Sequence, residues 1–327
     1  MSPHSPPKPH QTLTELVALL QKRGMNIPNE ERAKRKLSQI GYYRLSGFWY
    51  PCREGKRDDD GNYVKDPKSK LPIRENTFQE NTDFNLITDL YLFDKKLRQL
   101  MLDAIERIEI HVRSVIAHEV GRFDPLAYQE TSFINPKILQ SIHWCEWKKR
   151  QEKLIEDSKE DSILWHKKRN LSIPFWVAVE TWDYGLMSKY FENLKGQYQN
   201  LICERLGVLD QTGTPHVKSL KNWLQEINIL RNRCAHHSRI WNRVSGNAIT
   251  IPKNQHFKDL RLDQNARTRI YGIICVLWYL VQKIGPNSKW IKDVADLIDS
   301  KPNLECLPYT SMGFPNNTGF PREKFQL

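Results

Sequence analysis

The sequence is poor in glycine and in long apolar runs. Only 15 of its 327 residues are glycine, below the usual share of about 7%. Because glycine weakens helices whereas lysine, glutamate and leucine favour them, the composition favours a helical protein. The longest strongly apolar run, Ile270 to Val281, is shorter than the roughly 20 residues that a membrane-spanning helix needs. We therefore expect no contact with a membrane.

Sequence signals of several other protein classes are also missing. The N-terminus has no apolar core of a secretion signal, and we find no phosphate-binding loop, no G-x-G-x-x-G and no serine-hydrolase elbow. The cysteines are scattered without a C-x-x-C pair, at Cys52, Cys145, Cys203, Cys234, Cys275 and Cys306. Without a secretion signal, such cysteines indicate reduced thiols and small core residues. These absences predict a cytoplasmic protein with no cofactor.

Basic residues outnumber acidic ones. The chain has 50 Lys and Arg against 38 Asp and Glu, a formal net charge of +12 and a pI of about 9.3. This balance suggests a polyanionic partner, although surplus lysine also serves solubility alone.

Hydrophobic spacing predicts an all-α fold. Helices are expected over 11–24, 29–40, 82–121, 137–169, 174–180, 214–241, 265–284 and 288–298. Residues 53–76 are expected to form an exposed loop, with one short strand at Ala248–Ile251. Four regions are predicted: a disordered tail 1–10, an N-terminal basic and aromatic helical region with a loop 11–80, a helical domain 81–300 and a C-terminal tail 301–327.

The helix expected over 214–241 carries the most informative polar residues. At 100° per residue, Arg231 falls inside the apolar stripe of this helix. A buried guanidinium needs an acidic partner or a bound anion, because an unpaired buried charge is costly. On the same projection an adjacent polar strip holds Asn232, His236, Arg239 and Arg243.

The charge of this region has one sign. Residues 227–258 contain four arginines and two lysines but no Asp or Glu. Arginine binds phosphate through a bidentate fork, and histidine transfers protons near neutral pH. Together they suit activation of an RNA 2′-hydroxyl without a metal, with Arg233, Arg239 and Arg243 as RNA contacts. The alternative is a solvated basic helix with one buried Arg–Glu pair. Cys234, His236 and His237 lack metal-ligand spacing, so no metal is expected.

The pattern Arg231-Asn-x-x-x-His236 resembles the Arg-x4-His signature of HEPN-superfamily ribonucleases. The longer segment 230–243 is similar to the C-terminal signature of the Abi-like family, the AbiD/AbiF type of abortive-infection proteins. Blocks at 41–50, 171–194 and 313–315 resemble that family's other motifs, in the same order. The resemblance implies an all-helical HEPN-type bundle with an N-terminal extension, metal-independent RNA cleavage or RNA binding, and defence against phage. By position, it implies Arg231, Asn232 and His236 as catalytic residues.

A supporting element is suggested in the helix over 82–121. Glu109-x3-Arg113 resembles the acidic-x3-basic element of HEPN proteins, and Glu109 could reach Arg231 if the two helices are neighbours. The alternative is an i,i+4 surface ion pair, worth about 0.2–0.5 kcal/mol. Arg113 and His118 also form a second, weaker Arg-x4-His, because the small Ser114 replaces the expected polar residue.

An aromatic block follows a basic helix near the N-terminus. Basic side chains bind phosphates, and aromatic rings beside them stack on bases. The RNA-binding candidates here are therefore Lys34, Arg35, Tyr43, Arg44 and Trp49. The alternative is that Tyr43, Phe48 and Trp49 are core residues.

Three functions are compatible with the sequence. The first is a metal-independent endoribonuclease acting in abortive infection. The second is a non-catalytic protein scaffolded on a structured non-coding RNA, and the third is an interaction module whose basic face binds an acidic protein. One copy of the motif presents His236 away from Arg231, so the catalytic form is predicted to be a homodimer. The alternatives are an internal pairing with Arg113 and His118, or closure of the site by RNA on a monomer.

Overall fold

The computed structural model describes residues 9–67 and 72–327. It confirms the all-α prediction: 60% of the structure is helical, and two short strands form the single small sheet of the described ranges. The predicted disordered tail, 1–10, lies almost wholly outside the described residues. The chain divides into two compact units, unit 1 with Met1–Lys96 and Leu297–Tyr309, and unit 2 with Leu97–Asp296 and Thr310–Leu327. The boundaries predicted at residues 80 and 300 stay predictions.

Unit 1 begins with three short helices and a hairpin. Its elements are α1 Leu13–Lys22, α2 Glu30–Ile40, α3 Tyr42–Trp49, β1 Arg53–Gly55 and β2 Arg74–Phe78. Thr12 and Glu15 cap α1 reciprocally, and the Asn29 side chain caps α2, as expected for polar N-cap residues. Gly41 has φ +92°, a conformation that favours glycine and separates α2 from α3.

The hairpin corrects the prediction of a loop over 53–76. β1 pairs with β2 in antiparallel register, Arg53 opposite Phe78 and Gly55 opposite Arg74. The strands are only three and five residues long, and the burial of β2 does not alternate. Because period-two alternation is the sequence signal of a half-buried strand, these two strands give almost none.

A disulfide corrects the prediction of six reduced thiols. Cys52 and Cys306 are bonded, with Cα atoms 5.0 Å apart and a sequence separation of 254. Both belong to unit 1. Sequence spacing could not pair them, because the chain returns to unit 1 only at Leu297–Tyr309. The other four cysteines form no disulfide, and Cys203, Cys234 and Cys275 are buried as predicted.

Unit 2 contains most of the helices. The long helix α4, Phe84–Gly121, starts in unit 1 and continues into unit 2, and α15 ends in unit 1. The others are α5 Pro136–Leu139, α6 Ile142–Asp157, α7 Asp161–Lys168, α8 Phe175–Ala178, α9 Tyr184–Asn193, α10 Gly196–Arg205, α11 Val217–Ala235, α12 Gln255–Leu260, α13 Gln264–Arg267, α14 Ile270–Ile284 and α15 Trp290–Asp299. The single helix predicted over 137–169 is therefore three helices.

The segment 248–251 forms no strand, contrary to the prediction. Its backbone bonds instead to side chains of α11 and to the Arg267 carbonyl. The Thr250 N–H donates to Asn222 Oδ1 (2.7 Å), Trp223 Nε1 donates to the Thr250 carbonyl (2.7 Å), and the Ile249 N–H donates to the Arg267 carbonyl (2.8 Å). With these partners, the backbone of the segment is satisfied without a neighbouring strand.

Helix α11 is the centre of unit 2. It packs against α9, α10 and α14. Its buried apolar face matches the predicted stripe and consists of Leu220, Trp223, Leu224, Ile227, Leu230 and Cys234. Across the described ranges, no helix is both long enough and apolar enough to span a lipid bilayer.

Candidate functional site

Helix α11 ends earlier than its apolar pattern predicts. The last helical residue is Ala235, and His236 is the C-cap. The next residue, His237, has φ +55°. After the cap, His237 N donates to Cys234 O (3.1 Å) and Ser238 N donates to Arg233 O (2.8 Å). These two hydrogen bonds form a Schellman motif, a common end of α-helices. The helix therefore stops about six residues before Trp241, where it was predicted to end.

This early end changes where the later residues lie. Arg239 and Arg243 follow the turn, so they do not share a helical strip with Asn232, and that placement was wrong. The physical reason is that Ile240 is buried after the chain reversal, whereas a continuing helix would place it about 180° from Arg231, away from the apolar face. His236 stands exposed at the helix end, beside the last-turn carbonyls.

A largely buried ion-pair network lies against the Arg231 side of α11. Arg113 Nη2 donates to Glu109 Oε1 (2.9 Å) and to the Trp182 carbonyl (3.0 Å), and Nη1 donates to Glu180 Oε2 (3.3 Å). The Arg113 and Glu109 side chains are only 14% and 15% exposed. The i,i+4 pair is thus present, but it is not the solvated surface pair of the alternative interpretation.

Arg231 acts on this network electrostatically. Burial raises the pKa of Glu109 above its ordinary value, while the charges of Arg113 and Arg231 oppose that rise. The Glu109 carboxylate therefore lies within electrostatic range of Arg231. In the described residues, however, the half-buried Arg231 guanidinium makes no hydrogen bond, so its N–H donors stay available to a ligand.

The loop before α9 completes the polar network. Asp183 Oδ1 accepts a hydrogen bond from Leu186 N (2.8 Å) and so caps α9, while its other oxygen pairs with Arg150. The Tyr184 hydroxyl is fully buried, and no described residue bonds to it. Burial, together with the Glu109 charge, raises the pKa of Tyr184 well above its ordinary value. Reasoning from the sequence missed these residues, although Glu180 and Asp183 lie within the block 171–194 that carried the resemblance.

The two residues of the second Arg-x4-His, Arg113 and His118, lie in different surroundings. Arg113 is bonded to three acceptors, whereas His118 is exposed further along α4. Since the Arg113 guanidinium is already used, it supports Glu109 and does not offer a second phosphate-binding fork.

The remaining arginines of the motif region lie around another part of α11. Arg233 and Arg243 line a small crevice next to the buried Glu226. Arg239 is half-buried in the turn after α11. None of the three is part of the Glu109 network.

The candidates in unit 1 differ in accessibility. Tyr43 is 76% exposed, and Arg35 and Arg44 are exposed too. Lys34 pairs with Glu31 (2.9 Å). Trp49 is fully buried and packs edge-on against Tyr42 and Phe78. Trp49 is therefore a core residue, as the alternative held, and its assignment as an RNA contact is corrected.

Comparison with known proteins finds one matching family. The family model for Abi-like proteins matches residues 35–242, more than half of the chain and all of α11. No curated protein and no solved structure shows significant similarity. Among the described residues, no group of three or more His, Cys, Asp or Glu is placed to hold a metal ion. The chain belongs to the Abi-like family, and membership implies a part in abortive-infection defence against phage.

Proposed function

We propose that this protein is a metal-independent endoribonuclease of the HEPN type, acting on RNA during abortive infection. Arg231, Asn232 and His236 form the proposed catalytic motif, and Glu109 and Arg113 support it.

The proposal rests on the burial of Arg231 and on its unused hydrogen-bond donors. The cation is half-buried and within electrostatic range of Glu109, yet no described residue accepts a hydrogen bond from it. A guanidinium held in this way is prepared to bind a phosphate through a bidentate fork. The exposed imidazole of His236 follows at the end of the same helix.

The proposed reaction is transesterification. The 2′-oxygen attacks the adjacent phosphorus while a base removes its proton. The P–O5′ bond then breaks, and the 5′-oxygen takes up a proton. The products carry a 2′,3′-cyclic phosphate and a 5′-hydroxyl. His236 performs one of the two proton transfers. Arg231 stabilises the charge that develops on the non-bridging oxygens, and Asn232 orients the phosphate.

The test is cleavage of RNA by the wild type and by His236→Ala. Loss of the imidazole should lower the cleavage rate by at least about 100-fold, the usual contribution of an acid or base. RNA affinity should stay within a few-fold, because a single imidazole adds little to phosphate binding. End-group analysis should find cyclic phosphates, and cleavage should persist in EDTA.

His237→Ala is the matched control, since it removes the neighbouring imidazole and leaves the proposed catalytic one. Equal cleavage by the wild type and His236→Ala, or activity that returns only with a divalent ion, would contradict the proposed mechanism.

One observation favours a second candidate, RNA binding without cleavage. No described residue orients the His236 ring by a hydrogen bond, whereas a general base is commonly held in one tautomer by a partner. Sequencing the RNA that co-purifies with the protein separates the candidates. A single structured RNA supports a scaffold, whereas heterogeneous fragments with cyclic-phosphate ends support the nuclease. Absence of RNA supports the third candidate, a basic face that binds an acidic protein.

A further inference from the structure

A crevice on α11 concentrates positive charge. It lies between the end of α11, the segment after it and the start of α14, and its volume is about 40 Å³. A water molecule occupies about 30 Å³ in the liquid, so the crevice has room for a small group and not for a nucleobase. Its polar lining consists of Glu226, Arg233, Arg243, Ser245, Arg267, Thr268 and Arg269, and the rest of the lining is isoleucine and leucine.

The only acid among these seven side chains cannot balance the arginines. Glu226 is 4% exposed, and one of its oxygens accepts a hydrogen bond from the Ser245 hydroxyl. Its other oxygen, Oε1, is buried, and no described residue donates to it. Four arginines and one glutamate line the crevice. The formal charge of this partly desolvated space is therefore about +3.

Two of the four guanidiniums have structural partners. Arg267 Nε donates to the Ile249 carbonyl (2.7 Å), and Arg269 donates to Asn265 Oδ1 (2.6 Å) and to the Ser311 carbonyl (2.7 Å). The guanidiniums of Arg233 and Arg243 make no hydrogen bond with any described residue.

Arg233 and Arg243 also repel one another. Burial and the charge of Arg243 lower the pKa of Arg233, and the Glu226 carboxylate only partly offsets them. Like charges brought together at the mouth of a crevice cost free energy that a bound oxyanion would recover.

We propose that the Arg233–Arg243 crevice binds a phosphate of the RNA backbone other than the phosphate that is cut. This proposal rests on the proposed function for its ligand, RNA, but does not require that RNA be cleaved. Arg243 and Arg233 supply the hydrogen bonds, while Arg267 and Arg269 supply charge from fixed positions.

The position of the crevice fits an RNA strand that crosses the end of α11. Arg231 and Arg233 project about 160° apart around the helix, at 100° per residue. Between them lies the exposed face, which carries Asn232 and His236. A helix with its side chains is about 10–12 Å across, so one strand that meets both edges presents different phosphates to them. The crevice would thus hold the strand in place while Arg231 and His236 act.

The first experiment uses inorganic phosphate as the probe. Thermal unfolding of the RNA-free protein is followed with millimolar phosphate at constant ionic strength, set with chloride. The melting temperature of the wild type should rise with phosphate, and Arg243→Ala should abolish most of that rise. Arg205→Ala removes an exposed arginine of unit 2 that does not line the crevice, and it should behave like the wild type.

The second experiment uses a 2′-O-methyl RNA oligonucleotide, which cannot be cut through its own 2′-oxygen. Arg243→Ala should weaken binding about tenfold at low salt, as expected for a lost charge-assisted hydrogen bond. The slope of log K against log salt should fall by about 0.7, the value of one phosphate contact on a single strand.

The outcomes separate this proposal from the function itself. Equal phosphate stabilisation of Arg243→Ala and Arg205→Ala, or an unchanged salt slope with RNA, would overturn the crevice as an RNA site. If phosphate binding is lost in Arg243→Ala while RNA binding is not, the crevice serves a free anion, and the proposal is equally wrong. If the RNA slope falls but no cleavage is ever found, the crevice stands and the nuclease assignment fails.

Discussion

At the scale of residues, two arginines separated by 118 positions in sequence share one carboxylate but have different roles. Arg113 is bonded to Glu109, Glu180 and a backbone carbonyl, so it is a structural cation. Arg231 interacts with the same Glu109 only through charge and keeps its donors open. Substituting Arg113 should therefore lower stability, whereas substituting Arg231 should affect the ligand first.

The raised pKa of Glu109 gives a prediction about stability and pH. In the unfolded chain this carboxyl ionises at its ordinary value, whereas the native state keeps the proton to higher pH. Because the native state then binds more protons, stability due to Glu109 falls as pH rises between the two values. The fall should be at most about 1.4 kcal/mol per pH unit of that window. Urea unfolding of the wild type and of Glu109→Gln at several pH values measures it.

The control for Glu109→Gln is Glu180→Gln, which removes the exposed carboxylate on the same Arg113. The difference in free energy of unfolding between the wild type and Glu109→Gln should shrink as pH rises, and the Glu180 variant should show no such trend. A difference between the wild type and Glu109→Gln that grows with pH would contradict burial as the dominant cause.

At the scale of elements, the C-terminus of α11 decides where the histidine stands. The Schellman motif turns the chain at His237, a non-glycine residue with φ +55°. Side chains disfavour this conformation because the Cβ atom approaches the following carbonyl oxygen. The turn allows Ile240 to be buried, and His236 at the end of the helix is exposed.

This turn predicts an ordering of two variants at residue 237. Both His237→Gly and His237→Ala remove the imidazole, and only glycine adopts the positive φ freely. The glycine variant should therefore be the more stable of the two, by about 1 kcal/mol. Thermal or urea unfolding measures the difference. Equal stabilities would mean that the turn changes its conformation in the alanine variant.

At the scale of the whole molecule, the site has one exposed His236 and one Arg231 per chain. The proposed reaction needs two proton transfers, to which a single histidine contributes one at a time. We therefore predict a catalytic homodimer with a two-fold axis near His236 of both copies. Light scattering of the RNA-free protein and of its RNA complex should find twice the monomer mass in at least the complex. A monomer in both samples, with full cleavage activity, would contradict the dimer.

The sequence by itself determined the all-α class, the apolar face of α11 and the family. Helical periodicity repeats many times along a chain of this length, so local signals reinforce each other and predict most helices well. The sequence predicts an approach of Glu109 to Arg231 only if the two helices that carry them are neighbours, because the pattern of one helix does not say which element packs against it.

Only the tertiary structure decided the features that depend on contacts between distant segments. The Cys52–Cys306 bond joins segments 254 residues apart, and no local pattern encodes it. Trp49 became a core residue because Tyr42 and Phe78 close around it. Helix α11 stops at Ala235, and Ile240 is buried after the turn although a continued helix would point it away from the apolar face. The arginine crevice likewise exists only because the end of α13 and the residue before α14 place Arg267 and Arg269 in the same lining as Arg233, and packing between elements is a property that the amino-acid pattern of one element cannot contain.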